Sequence, residues 1–205
     1  SITECINNTK KCSEGSLSKT FTVEWIKKDL WRLIKLQSIY TEKSMAMKIS
    51  HTNLDDTNFD IVKRGNEYHG LLQKIINEKE QKQENSKFQI NNYYIIKLYA
   101  FGTITDYNNN NKLSIDSKLF ETNKVKVGSA FSIAEKGKGG ELFDYIVKSS
   151  SISVDIATEI LLQVAYALRF IHEQGYIYYD LKPENIVLLK EIKTVHDVNV
   201  RLIDF

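Results

Sequence analysis

This chain of 205 residues has one proline, Pro183, placed in "GYIYYDLKPENIVLL" (175–189). Proline fixes φ, removes a backbone donor and drives the preceding residue out of the helical region. Helix is therefore excluded at Lys182. The stretch reads as a rigid loop between two strand-like runs, one tyrosine-rich and one aliphatic. Within six residues the loop carries Asp180, Lys182 and Asn185, an acid, a base and an amide. Taken singly, such residues are ordinary turn formers and caps. Held together on a stiff backbone, they are the groups a catalytic loop needs.

The patterning on either side gives the fold class. Residues 1–20 are polar and read as disordered or extended. "FTVEW", "LWRLIKLQSIY" and "SMAMKIS" read as strands separated by short polar turns. "FDIVKRGNEYHGLLQKIINEKEQKQ" reads as a helix with Leu71, Leu72, Ile75 and Ile76 on one stripe. "NYYIIKLYAFGTI" and "KVGSAFSIAE" read as two further strands. A polar insert at about 105–124, with an asparagine run at 108–111, lies between them as a surface loop. Beyond the glycines of "GKGG" the chain turns helical. Ile156, Ile160, Val164, Leu168 and Ile171 recur at three or four residues, and Gly175 stands at the C-cap. "IVLL" and "VNVRLI" then read as strands. The order predicts an α+β chain in two lobes. A small sheet lobe (21–134) follows the polar segment 1–20, and a hinge (135–140) leads to a helical lobe (141–205).

Bulk properties exclude several function classes. A net charge of +2 gives no case for nucleic acid or for a membrane surface. No apolar run approaches the ~18 residues of a membrane span. The two cysteines, Cys5 and Cys12, lie in the polar N-terminal segment with no nearby histidine, so neither a disulfide framework nor a metal site is indicated. A reducing, intracellular compartment fits, with the cytoplasm as the expected one. The chain starts with Ser1 and ends inside an apolar run, which reads as a fragment whose targeting signals would lie elsewhere.

"YDLKPENIVLL" followed by "VRLIDF" resembles the catalytic loop and the start of the metal-binding motif of eukaryotic protein kinases. The second Asp-Phe closes a strand 19 residues after Asn185 (204 minus 185). "AMKIS" resembles the kinase strand that carries the phosphate-binding lysine, here Lys48. Glu67 follows 19 residues later (67 minus 48) on the predicted helix, where the family's lysine-pairing glutamate lies. "IAEKGKGGELFDYI" resembles the hinge. It puts Ala134 at the gatekeeper position, Glu135 and Gly137 along the adenine-binding backbone, and Glu141 where many kinases contact the ribose. "GKGG" itself lacks the G-x-x-x-x-G-K-[ST] pattern of a phosphate-binding loop, so a hinge is the better reading. The resemblance covers about residues 21–205 and stops at the Asp-Phe of the Asp-Phe-Gly motif.

The resemblance implies phosphoryl transfer from ATP with Mg²⁺, a reaction that asks for positioning and charge stabilisation. Asp180 would accept the substrate hydroxyl proton, and Lys182 would steady the transferring phosphate. Asn185 and Asp204 would hold Mg²⁺ through oxygen. Lys48 would hold the α and β phosphates, with Glu67 keeping it extended. Lys182 two residues after Asp180 is the serine/threonine pattern, so the implied partner is a protein bearing Ser or Thr hydroxyls.

Two positions depart from the family. The glycine-rich loop should fall in "WIKKDLWRL", which has no glycine, and Tyr178 and Tyr179 replace the usual His-Arg. Both tyrosines are expected to pack as space-filling aromatics. The missing glycines together with "WIKK" are reminiscent of the FIKK kinases of parasitic protists. They also leave open a pseudokinase or inactive fragment, a nucleotide-binding or scaffolding module without turnover.

Overall fold

Met45, Met47 and Ile49 alternate with Ala46 and Lys48, a period of two that suits a strand buried on one face. In the computed structural model, strand β3 (Ser44–Ser50) forms there, with those three apolar side chains buried. The structure describes residues 6–14, 18–25, 44–50, 54–83, 93–103 and 129–205. Two compact units divide the chain, Ser1–Gly70 with Leu98–Lys136, and Leu71–Lys97 with Gly137–Phe205.

The first unit carries a five-stranded antiparallel sheet in the order β1-β2-β3-β5-β4. Its strands are β1 (Ile6–Glu14), β2 (Ser18–Trp25), β3, β4 (Leu98–Thr103) and β5 (Ala130–Glu135). The polar N-terminal stretch is thus a paired strand. One side of its backbone pairs with β2, and pairing needs no apolar pattern to form a ladder. The predicted strand at 30–40 and the insert at 105–124 lie outside the described residues. Helix α1 (Asp56–Gln83) starts at Asp55, whose Oδ1 accepts from Asn58 N at 2.7 Å, a standard N-cap. Asn66 Nδ2 donates to the Phe131 carbonyl at 3.3 Å and fixes which face of α1 meets β5.

The second unit contains α2 (Leu142–Lys148), α3 (Val154–Glu173) and a three-stranded antiparallel sheet, β6-β7-β8. These strands are β6 (Gly140–Glu141), β7 (Ile186–Leu188) and β8 (Val200–Leu202). Ser153 caps α3 by accepting from Ile156 N. Gly175 closes it at φ 81, where L side chains are strained. The predicted stripe is the buried face. Ile160, Val164 and Ile171 are buried with Ala167 and Phe170, while Ile156 and Leu168 are half-buried. Burying each such large apolar side chain is worth about 1.5–3 kcal/mol. Segment 93–97 docks on this body. The Tyr93 ring meets Phe170 at 4.6 Å, and Ile95 bridges Leu202 in parallel. Among the described residues no helix is long and apolar enough to cross a membrane.

Candidate active site

The proline loop is built as its residue types require. Lys182 is extended (φ −154, ψ 159), as a residue before proline should be. Pro183 opens a single 3-10 turn, Pro183–Asn185, closed by Asn185 N donating to Lys182 O at 3.0 Å. The run before it, Tyr176–Tyr179, forms neither strand nor helix. Of its four side chains only Tyr178 is buried, and this corrects the expectation for the tyrosine pair. Tyr178 is buried (8% exposed), whereas Tyr179 is 90% exposed.

Asp180, Lys182 and Asn185 are brought together. Lys182 Nζ donates to Asp180 Oδ2 at 2.7 Å. Asn185, 4% exposed, donates through Nδ2 to the same oxygen at 2.8 Å and to the Asp180 carbonyl at 2.9 Å. The hydrogen bond from Lys182 holds the Asp180 carboxyl below its usual range, aided by Asn185. In return Asp180 pushes the Lys182 ammonium above its usual value. At the working pH the loop carries a carboxylate and an ammonium locked together.

Asp204 follows β8 at φ 62, a left-handed conformation that Asp tolerates better than most residues. Residue 203 ties it to the loop. Ile203 N donates to the Asn185 carbonyl at 3.0 Å, and Tyr178 Oη donates to the Ile203 carbonyl. The Tyr178 ring also meets Phe205 edge-on at 5.5 Å. Burial, then the charges of Asp204 and Asp180, push the Tyr178 hydroxyl far above its ordinary value, so it stays a donor. Sequence reasoning missed this bond. Its signal was a phenol, an aromatic with a polar tip, two residues before Asp180.

Would this unit suit Mg²⁺? The Asn185 nitrogen is committed to Asp180, which leaves its carbonyl oxygen as the group for a cation. Asp204 adds a carboxylate. Two hard oxygen donors fit an ion that keeps water and substrate phosphates as its remaining ligands. Among the described residues no group of three or more His, Cys, Asp or Glu gathers to cage a metal without phosphate.

Glu141 sits at the N-cap of α2, half-buried and paired in register with Val187. Burial raises its carboxyl, and the charges of Asp144, Glu184 and Asp204 raise it further. The glycines before it are used for close packing on β7. A Cβ on Gly139 would stand 2.4 Å from the Lys190 carbonyl, and one on Gly137 would stand 2.7 Å from Val187 Cβ. Gly139 N donates to Leu188 O at 2.9 Å.

In the first unit, Lys48 lies opposite Ser132 on β5, and Ala46 lies opposite Ala134. Lysine and small residues thus share the sheet face that the buried Met-Ile row does not use. Ala134 is half-buried and also pairs with Leu98, and Glu135 pairs with Met45. Glu67 is 56% exposed on α1, and its Oε1 lies 4.0 Å from Lys63 Nζ one turn back. Its neighbour Asn66 is the residue bonded to β5. "WIKK" begins at the last residue of β2, and its other three residues lie outside the described residues.

A family model of the protein kinase domain matches residues 41–205. The chain belongs to the protein kinase domain family. Curated kinases resemble it over shorter stretches. Maternal embryonic leucine zipper kinase of Xenopus tropicalis is 41% identical over 75 residues, 37% of this chain and 11% of that protein. Death-associated protein kinase 2 of Homo sapiens is 38% identical over 73 residues, 36% of this chain and 19% of that protein. The chain thus matches about a tenth to a fifth of the length of these kinases. Among solved structures, Rad53 1–466 in complex with AMP-PNP superposes with a TM-score of 0.60 at 22% identity, over 98% of this chain and 38% of that one. The fold is kinase-like and α+β, as the order of strands and helices predicts.

Proposed function

We propose that the chain is the catalytic part of a serine/threonine protein kinase that transfers the γ-phosphoryl group of ATP to a hydroxyl of a protein substrate. The observation that carries this reading is the bonded trio of Asp180, Lys182 and Asn185, tied through Ile203 to Asp204. Asp180 is held ionised and aimed by two donors, so it can accept a hydroxyl proton. Lys182 provides the positive charge beside it. Asn185 and Asp204 offer the oxygens for Mg²⁺, which when bound would neutralise charge on the phosphates. Lys48 would contact the nucleotide phosphates with Glu67 supporting it. Ala134, Glu135 and Gly137 would line the adenine, and Glu141 would meet the ribose. The match to the kinase family and the AMP-PNP held by Rad53 support ATP as the donor.

The test is phosphoryl transfer from Mg-ATP to a protein acceptor. Asp180→Asn should lower the rate about 10²–10⁴-fold, the usual weight of a positioned general base, while AMP-PNP still binds. Unaltered transfer by that variant would overturn the assignment. A second reading, nucleotide binding without turnover, is favoured by the exposed placement of Glu67 beside Lys63. It predicts AMP-PNP binding with no transfer to any Ser or Thr acceptor.

A further inference from the structure

β8 carries the chain to Asp204, yet it is only three residues long and lies at the edge of its sheet. An edge strand exposes a row of unpaired backbone groups. On one side Asn199 and Arg201 face β7, where Asn199 O accepts from Leu189 N at 2.9 Å and Arg201 pairs with Val187. On the other side stand the groups of Val198, Val200 and Leu202, all buried. Leu202 is satisfied by segment 93–97. Its N–H donates to Tyr94 O at 2.8 Å, and its carbonyl accepts from Ile96 N at 3.0 Å.

Among the described residues no strand covers this outer side of Val198 and Val200, and a side chain takes the place of one. Gln163 of α3 donates through Nε2 to the Val198 carbonyl at 2.9 Å and accepts at Oε1 from Val200 N at 2.9 Å. A second Nε2 hydrogen bond, to Glu159 Oε1 at 2.7 Å, fixes which end of the amide is nitrogen. Gln163 is 4% exposed and is the one polar residue among the buried positions of α3. Its amide does for β8 what the peptide group of a neighbouring strand would do.

We propose that Gln163 is a positioning residue for Asp204, a reach of four residues along the strand it completes, and that it thereby sets the affinity for Mg²⁺-nucleotide. This rests on the phosphotransfer reading. Without the Gln163 amide, Val198 O and Val200 N–H are buried and unsatisfied, because neither residue is open to water. The outer edge of β8 then holds only at Leu202. The register that delivers Ile203 to Asn185 and Tyr178 loosens, and with it the direction of Asp204. Partners that orient a metal ligand from behind commonly weigh about 10–100-fold in metal affinity.

The test uses the full chain and three variants. Gln163→Leu removes the amide. Gln163→Met keeps the length of the side chain without the amide, and it stands in should Gln163→Leu fail to fold. Val164→Ala is a destabilised control from the same buried face. Amide hydrogen exchange at Leu202 and Ile203, and AMP-PNP affinity with and without Mg²⁺, are measured well below each melting temperature. Expected are at least about tenfold faster exchange at Leu202 and Ile203 in both Gln163 variants, and an about tenfold or greater loss of the Mg²⁺-dependent part of binding. Metal-free AMP-PNP affinity and the Val164→Ala control should stay within about twofold. Exchange unchanged, or raised equally in Val164→Ala, overturns the inference. If the wild-type chain shows no Mg²⁺-dependent binding, the phosphotransfer reading falls, while exchange at Ile203 still decides whether Gln163 holds the strand.

Discussion

Lys182 Nζ and Asp180 Oδ2 lie 2.7 Å apart in a pair that faces solvent. An exposed pair adds little to stability, so its effect is on protonation. Lys182→Met should move the Asp180 carboxyl back up toward the ordinary carboxylate value. Carboxyl carbon chemical shifts followed through a pH titration would read this directly. The sign is set by both partners. The lowered Asp180 value favours the fold above the ordinary carboxylate range, and that contribution is lost as pH falls through the lowered value. The raised Lys182 value favours it below the ordinary lysine range, and that is lost as pH rises through the raised value. The pair is therefore intact between about pH 4 and pH 10. An Asp180 titration that Lys182→Met leaves in place would contradict this.

Tyr178→Phe keeps the ring against Phe205 and removes the donor to Ile203 O. Leaving that carbonyl without its partner should cost about 1–3 kcal/mol. For a chain of this size that is a fall in Tm of roughly 2–4 °C per kcal/mol. The buried hydroxyl has a raised value, so its contribution is complete below about pH 10 and is lost as pH rises from there. Alkaline unfolding followed by tyrosinate absorbance should begin later in Tyr178→Phe, measured from that variant's own neutral baseline.

Tyr94 stands at φ 52 while its ring stacks on Tyr166 at 6.2 Å and lies 5.6 Å below the Arg201 guanidinium. Left-handed backbone costs a residue such as Tyr roughly 1–2 kcal/mol, and Asn much less. The stacked ring returns about 0.5–1.5 kcal/mol, and the cation over it about 0.5–1 kcal/mol more. Tyr94→Asn should therefore change urea-unfolding stability by no more than about 1 kcal/mol. Tyr94→Val combines a β-branched residue with the same φ and forfeits the ring, so it should be the worse of the two. The reverse order would show that the ring contacts outweigh the backbone.

Glu67→Ala removes an i,i+4 contact with Lys63 at 4.0 Å, worth about 0.3–0.5 kcal/mol. Melting should shift by no more than about 2 °C. If Glu67 supports Lys48 during phosphoryl transfer, the rate should nonetheless fall at least about tenfold. A rate unchanged along with the Tm would remove Glu67 from the catalytic set.

How far the sequence carries depends on whether a residue's role is local. The alternation in "SMAMKIS" and the stripe from Ile160 to Ile171 are local, and both formed as read. Pro183 dictated the loop around it because its constraint acts on its own φ and on its neighbour. β1 was not legible, since a polar strand is defined by its partner and not by its own pattern. The exposure of Tyr179 was not legible, since the family's His-Arg precedent gave both tyrosines a space to fill. Gln163 carried a faint signal, a polar residue three positions after Ile160 on the apolar stripe, whose meaning depends on β8, 37 residues further on.

Ile203 joins Asn185 and Tyr178 through its N–H and its C=O alone. Those are atoms that nearly every amino acid possesses. The position can therefore accept many side chains over evolutionary time with little change in how the two carboxylate-bearing segments meet, and proline, which has no N–H to offer Asn185, is the replacement that would part them.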